Sequence, residues 1–207
     1  MILYYNREGI GDILIIYLKD GEKETFQTKG DVTRIFDETT NETLGFNISH
    51  ASHFVKNELA GEVKADASLI EHLNQKLADE KLDYSLPETP KPLIVTGYVR
   101  DLKEHPNSDH MHVCHVECGE DTLQIVCGAP NIDQGQKVVV ARLGALMPNG
   151  TIIRPTVLRG VASDGMICSA RELALPNAPQ KRGILVLDSA TQIGQDFYAL
   201  VAKKVRV

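Results

Sequence analysis

Alternating apolar and polar positions divide the first half of the chain into short segments. Runs such as MILYYN, DILIIYLKDG and ETLGFNIS are rich in β-branched and aromatic residues and are separated by Gly, Asp and Asn, as is typical of strands joined by tight turns. The period then changes, because Leu69, Ile70, Leu73 and Leu77 recur at helical spacing behind Asp66, a residue type that caps helices. The pattern predicts an α+β domain built from an antiparallel sheet and one helix.

The second half alternates short apolar segments with glycine-rich turns and shows no long helical period. Its strand candidates are LIVTGYVRDLK, HMHVCHVEC, DTLQIVCG, KVVVARLG, GMICSA and GILVLD, a density of short strands that favours an all-β barrel of the oligonucleotide-binding (OB) type. Between the halves, SLPETPKP contains three prolines, which interrupt helices and central strands alike. We therefore predict two domains, residues 1–87 and 88–207.

Charge is distributed unequally between the halves. Residues 1–90 carry 9 Lys+Arg and 17 Asp+Glu, a net charge of −8, whereas residues 91–207 carry 13 and 11, a net charge of +2. Because affinity for a polyanion comes from local basic patches, a nucleic-acid partner is expected on the second half. No apolar run approaches the roughly 20 residues that span a bilayer, and no signal-peptide pattern is present. We expect a cytoplasmic protein without a membrane partner.

The four cysteines all lie in the second half, at uneven spacing: Cys114, Cys118, Cys127 and Cys168. In an intracellular chain they are expected to be reduced and buried. Cys127 ends an apolar run and would be a candidate nucleophile, but no Lys or Arg lies within ten residues before it or nine after it, whereas a reactive thiol needs nearby positive charge. The Cys-x3-Cys spacing beside His112 is not that of common zinc loops. We predict no catalytic residue, metal site or cofactor.

Four motifs of the second half occur in a fixed order: HPNSDHMHVCHVECG, QIVCGAPNI, GALMPNG and LRGVASDGMICS. Together they resemble the tRNA-binding domain of the bacterial phenylalanyl-tRNA synthetase β subunit, of methionyl-tRNA synthetases and of endothelial-monocyte-activating-polypeptide-like proteins. An acidic α+β half before such a domain is similar to the YtpR-type stand-alone proteins. The resemblance covers residues 91–200 and implies an OB-fold barrel that binds structured RNA, chiefly tRNA, without acting on it chemically. Because stand-alone relatives of this barrel often work as dimers, it also implies a homodimer.

Residue types in the second half agree with a protein that binds folded RNA. Such a protein needs Arg, Lys and small polar groups, because an RNA helix presents phosphates and 2′-hydroxyls more accessibly than base edges. Aromatic residues that would stack on unpaired bases are scarce there, and we expect no DNA sequence specificity. The candidate RNA-binding residues are Arg100, Lys103, Asn107, Asn131, Arg142, Arg154, Arg159, Ser163 and Ser169.

Two positions depart from the related domains. His110 stands where relatives often carry a cation, and Ala162 stands where they often carry an acidic residue.

The alternative hypothesis is a protein-interaction or adaptor module, associated with the translation machinery through the acidic first domain. A further basic group lies in the tail at Lys203, Lys204 and Arg206.

Overall fold

The chain forms two compact units, Met1–Lys91 and Pro92–Val207. The computed structural model describes residues 1–55, 61–88 and 91–204, with side chains up to residue 202. The basic tail named above therefore lies outside the described side chains. The division falls within the proline-rich segment from which we predicted limits of 1–87 and 88–207.

The first unit contains one six-stranded antiparallel sheet, in the order β3-β4-β5-β2-β1-β6. A 3-10 turn at Ala51–His53 follows β5. The sheet and the helix α2 confirm the α+β prediction, whereas the four-residue helix α1 was not predicted. The elements are β1 (Ile2–Tyr5), α1 (Arg7–Ile10), β2 (Ile13–Tyr17), β3 (Glu24–Lys29), β4 (Val32–Asp37), β5 (Thr43–Ser49), β6 (Gly61–Glu62) and α2 (Ala67–Asp79).

Helix α2 begins and packs as its sequence pattern indicates. The Asp66 carboxylate accepts a hydrogen bond from Leu69 N at 2.9 Å and so caps the first turn. Ile70, Leu73 and Leu77 are at most 1% exposed and belong to the core of the first unit. Burying each of these side chains contributes roughly 1.5–3 kcal/mol.

Two carboxylates hold the loops of the first unit. Hydrogen bonds from the backbone N–H groups of Lys23 and Thr40 are among those that lower the pKa of Asp37 from 3.8 to about 2. The Ser52 hydroxyl and the Ser52 backbone N–H each donate a hydrogen bond of 2.7 Å to the Asp12 carboxylate. These hydrogen bonds lower the pKa of Asp12 to about 2 as well. Because both values lie below those of the unfolded chain, this stabilisation is present above about pH 4 and is lost as the pH falls towards 2.

The second unit is built around the antiparallel sheet β13-β10-β7-β8-β9, with β14 also paired to β10 and with β11-β12 as a separate two-stranded sheet. The strands are followed by helix α3, which was not predicted and whose Phe197 is buried in a core with Ile94 and Val139. The elements are β7 (Ile94–His105), β8 (Ser108–Glu117), β9 (Thr122–Cys127), β10 (Lys137–Arg142), β11 (Thr156–Leu158), β12 (Val161–Ser163), β13 (Gly165–Ile167), β14 (Val186–Leu187) and α3 (Phe197–Lys204).

The predicted barrel is confirmed only as a mostly-β unit, because the described strands form open sheets. No strand ladder joins β13 to β9 within the described residues. The segment around β12 and β13 does reach β9 through single bonds: Asp164 N donates to Gln124 O at 2.8 Å, and Val126 N donates to Ser163 Oγ at 3.0 Å.

Candidate nucleic-acid interface

Two hairpin turns of the second unit meet through Asn107 and Arg159. Asn107 Nδ2 donates to the Arg159 carbonyl at 2.9 Å, and the Arg159 guanidinium donates to the Asn107 carbonyl at 3.1 Å. Arg159 has φ 45° and Gly160 has φ 90°, so a tight left-handed turn places the two backbones opposite each other. The structure therefore brings together two predicted RNA-binding residues from distant motifs.

His105 forms hydrogen bonds with both hairpin turns. It is 4% exposed, its Nδ1 accepts from Asn107 N at 3.1 Å, and its Nε2 lies 3.0 Å from the Leu158 carbonyl oxygen. Because a backbone N–H can only donate and a carbonyl can only accept, these partners place the ring proton on Nε2 of a neutral imidazole. His105 is thus a packing and hydrogen-bonding residue.

Arg100 and Lys103 lie on β7 and are both about two-thirds exposed. The Arg100 guanidinium pairs with Glu117 at 2.7 Å, and the Lys103 ammonium lies 3.6 Å from the Asp101 carboxylate. Each cation therefore offers a phosphate a site whose charge is already partly compensated. We call Arg100, Lys103, Asn107 and Arg159 the hairpin residues. Arg154, which is exposed before β11, also has an interaction partner.

Arg142 is a cation built into the fold. Its side chain is 16% exposed, it pairs with Asp121 at 2.8 Å, and it donates to the Cys118 carbonyl. These bonds tie the end of β10 to the turn between β8 and β9. The sequence suggested Arg142 for RNA binding, but its guanidinium forms hydrogen bonds that hold this turn.

Ser163 is also internal. It is 2% exposed, and its hydroxyl accepts from Val126 N at 3.0 Å and donates to the Gly165 carbonyl at 3.2 Å. The hydroxyl therefore has its partners inside the protein and joins β9 to β13.

Asn131 and Ser169, two further predicted residues, line one groove of about 320 Å³. The Asn131 amide donates to the Ile184 carbonyl at 3.0 Å and accepts from Ile184 N at 2.8 Å. The Ser169 hydroxyl donates to the Glu172 carboxylate at 2.6 Å. Both side chains thus shape the groove walls, and their polar atoms are engaged within the protein.

Three cations that sequence reasoning missed surround the same groove. Arg171, Lys181 and Arg182 are exposed and line it, and the Arg182 guanidinium donates to the Gly128 carbonyl at 3.0 Å. One sequence feature could have indicated them. Lys181 and Arg182 are adjacent, lie between prolines and a glycine, and belong to a segment without strand or helix period. We call the groove with its three cations the basic groove. Its walls are residues 130–131, 169–171, 179 and 181–185.

The four cysteine thiols are buried, and their pKa values are raised above that of a free thiol. Burial raises the pKa of the Cys114 and Cys168 thiols to about 12 and that of Cys118 to about 11, and burial also raises the pKa of Cys127. All four are free and buried, which confirms the prediction for them. A thiol with such a pKa is almost entirely protonated near neutral pH and reacts poorly.

The described residues contain neither a metal-binding cluster nor a membrane-spanning helix. No group of three or more His, Cys, Asp and Glu side chains is arranged to hold a metal ion. In the same part of the chain, no helix has both the length and the apolar character needed to cross a membrane.

Comparison with known proteins identifies both units. Residues 94–196 match the family described as "Putative tRNA binding domain", and residues 19–88 match a "Domain of unknown function (DUF4479)". The chain is 47% identical over 199 residues to the "Putative tRNA-binding protein YtpR" of Bacillus subtilis, a match that covers 95% of this chain and 99% of that protein.

Other similarities are partial. The chain is 47% identical over 112 residues to the phenylalanine–tRNA ligase β subunit of Sulfurimonas denitrificans, a match covering 54% of this chain but only 14% of that subunit. Among solved structures, the C-terminal domain of Plasmodium vivax p43 aligns with 49% of this chain and 56% of its own at 20% identity, with a TM-score of 0.36. Such a score is too low to establish a shared fold.

Proposed function

The chain belongs to the family of the Bacillus subtilis protein YtpR, and on that premise we propose that it binds structured RNA, foremost tRNA, through its second unit. The family relation extends over nearly the whole of both chains, and the tRNA-binding family matches the second unit specifically. That relation is the observation on which the proposal rests.

Charge supports the assignment to the second unit. The second unit, residues 92–207, has a net charge of +1, against −7 for residues 1–91 of the first unit. Exposed Arg and Lys side chains lie on the hairpins and around the basic groove. Because phosphates dominate affinity for nucleic acids, these cations supply most of the binding free energy. The exposed candidates from the sequence remain our proposed contacts: Arg100, Lys103, Asn107, Arg154 and Arg159.

The fold we propose for the second unit is an OB-like barrel. Two hydrogen bonds support it, one from Asp164 N to Gln124 O and one from Val126 N to Ser163 Oγ. They join β9, one edge strand of the open sheet, to the residues that directly precede β13, the other edge strand. We further propose that the protein binds RNA without catalysis, which is consistent with four protonated thiols. A homodimer, an adaptor role of the acidic first unit and a cytoplasmic location stay predictions from the sequence.

Filter binding of bulk tRNA to the full chain tests this function. We expect measurable binding at roughly 50 mM salt and a loss of affinity on the order of tenfold or more at roughly 200 mM, because each phosphate contact releases counterions. A DNA duplex of similar mass serves as the control and should bind more weakly. Absence of binding at the lower salt concentration, or an affinity that does not change with salt, would contradict the proposal.

A further inference from the structure

We propose that the basic groove is a binding site for the phosphate backbone of RNA, and that Arg171 and Lys181 contact the phosphates. This inference rests on the proposed function and assigns it to a specific surface. None of the three groove cations is among the residues expected from the sequence.

The described residues that line the groove include three cations and no carboxylate. Arg171, Lys181 and Arg182 contribute three positive charges, while the adjacent Glu172 contributes one negative charge and accepts hydrogen bonds from Ser169 N and Oγ at 2.7 and 2.6 Å. The only hydrogen bond described for the Arg182 side chain goes to a neutral carbonyl, that of Gly128, and uses one of its five N–H donors. The groove therefore keeps a net positive charge.

The walls of the groove are held in place before any ligand binds. The two Asn131–Ile184 hydrogen bonds fix one side, and Leu185 N donates to the Cys168 carbonyl at 2.9 Å on the other. Gly183 has φ 155°, and a Cβ atom at this position would lie 2.7 Å from the Asn131 amide oxygen. Only glycine fits there without displacing the amide, so the close approach of this segment to Asn131 depends on Gly183.

Size and shape suit a phosphodiester chain better than a stacked base. The groove volume of about 320 Å³ is at the lower end of the range for small-ligand sites. No aromatic side chain is among the lining residues that the structure describes. These residues therefore provide no surface for stacking, the interaction that usually binds unpaired bases. Guanidinium and ammonium groups are the usual partners of phosphate oxygens.

The test compares two double variants of the full chain that remove the same charge. Arg171→Gln with Lys181→Gln removes one Arg and one Lys from the groove, and Arg7→Gln with Lys64→Gln removes one Arg and one Lys from exposed positions of the acidic first unit. tRNA affinity is measured by filter binding over a salt series. Thermal unfolding of each variant verifies that it folds.

We expect the groove variant to bind tRNA about tenfold more weakly than the unchanged protein. The slope of log K against log salt, which is negative, should become shallower by about 2, because two phosphate contacts are lost. The Arg7 and Lys64 variant should stay within about twofold, since overall charge acts weakly at a distance in salt. Equal loss in both variants, or full affinity in the groove variant, would overturn the groove assignment while leaving RNA binding intact. Failure of the unchanged protein to bind tRNA would overturn the proposed function itself.

Discussion

The hairpin residues and the basic groove use the same kinds of side chain in different ways. On the hairpins, Arg100 and Lys103 face carboxylates of their own sheet, and Asn107 and Arg159 bond each other. Around the groove, three exposed cations line the walls, and no carboxylate is among the described lining residues. The number of cations in a region therefore says less about RNA binding than the charge left after internal pairing.

The most destabilising change should be the loss of Arg142, whose side chain is largely buried in the second unit. Arg142→Met should lower the free energy of unfolding by about 2 kcal/mol, because it removes the ion pair to Asp121 and leaves the Cys118 carbonyl without this donor. Chemical denaturation of the variant measures the change.

Arg100→Met is the matched control for that prediction. Its exposed pair with Glu117 should contribute only about 0–1 kcal/mol. If both variants lost the same stability, the distinction between a structural and a surface cation would be wrong.

The next effect separates the hairpin residues from the groove. Arg100→Gln with Lys103→Gln removes the same charge as the groove variant but should weaken tRNA binding only about threefold, since both cations already have carboxylate neighbours. Filter binding under the conditions used for the groove variant measures the difference. A loss greater than that of the groove variant would reverse the ranking of the two regions.

Much of this architecture was predictable from local pattern. The period of Ile70, Leu73 and Leu77 behind Asp66 predicted α2 and its cap, because both depend on neighbours within a few residues. The burial of Cys127 likewise followed from its place at the end of an apolar strand. Such features depend on short-range geometry, which the sequence displays directly.

The fate of the polar side chains was not predictable in the same way. Arg142 pairs with Asp121, 21 residues away, and Asn131 bonds Ile184, 53 residues away. Ser163 is buried by strands that the sequence does not show to be neighbours. Tertiary pairing, which no local period encodes, decides which polar groups stay available for a ligand.

The buried thiols should be nearly inert in the native protein. Because burial raises the pKa of Cys114 and Cys168 to about 12, a thiol-specific disulfide reagent at pH 8 should react slowly with the native protein and leave tRNA affinity unchanged. In denaturant all four thiols should react quickly. One native thiol reacting at the rate of free cysteine would restore the case for a catalytic cysteine.

If tRNA binds in the basic groove, it should shield Lys181 from chemical modification, and a lysine-protection experiment measures this. The full chain is acetylated with and without saturating tRNA, and the modification of Lys181, Lys103 and Lys64 is quantified by mass spectrometry. We expect tRNA to protect Lys181 strongly, Lys103 less and Lys64 of the acidic unit not at all. Acetylation of Lys181 that does not change at saturating tRNA would show that tRNA does not cover the basic groove.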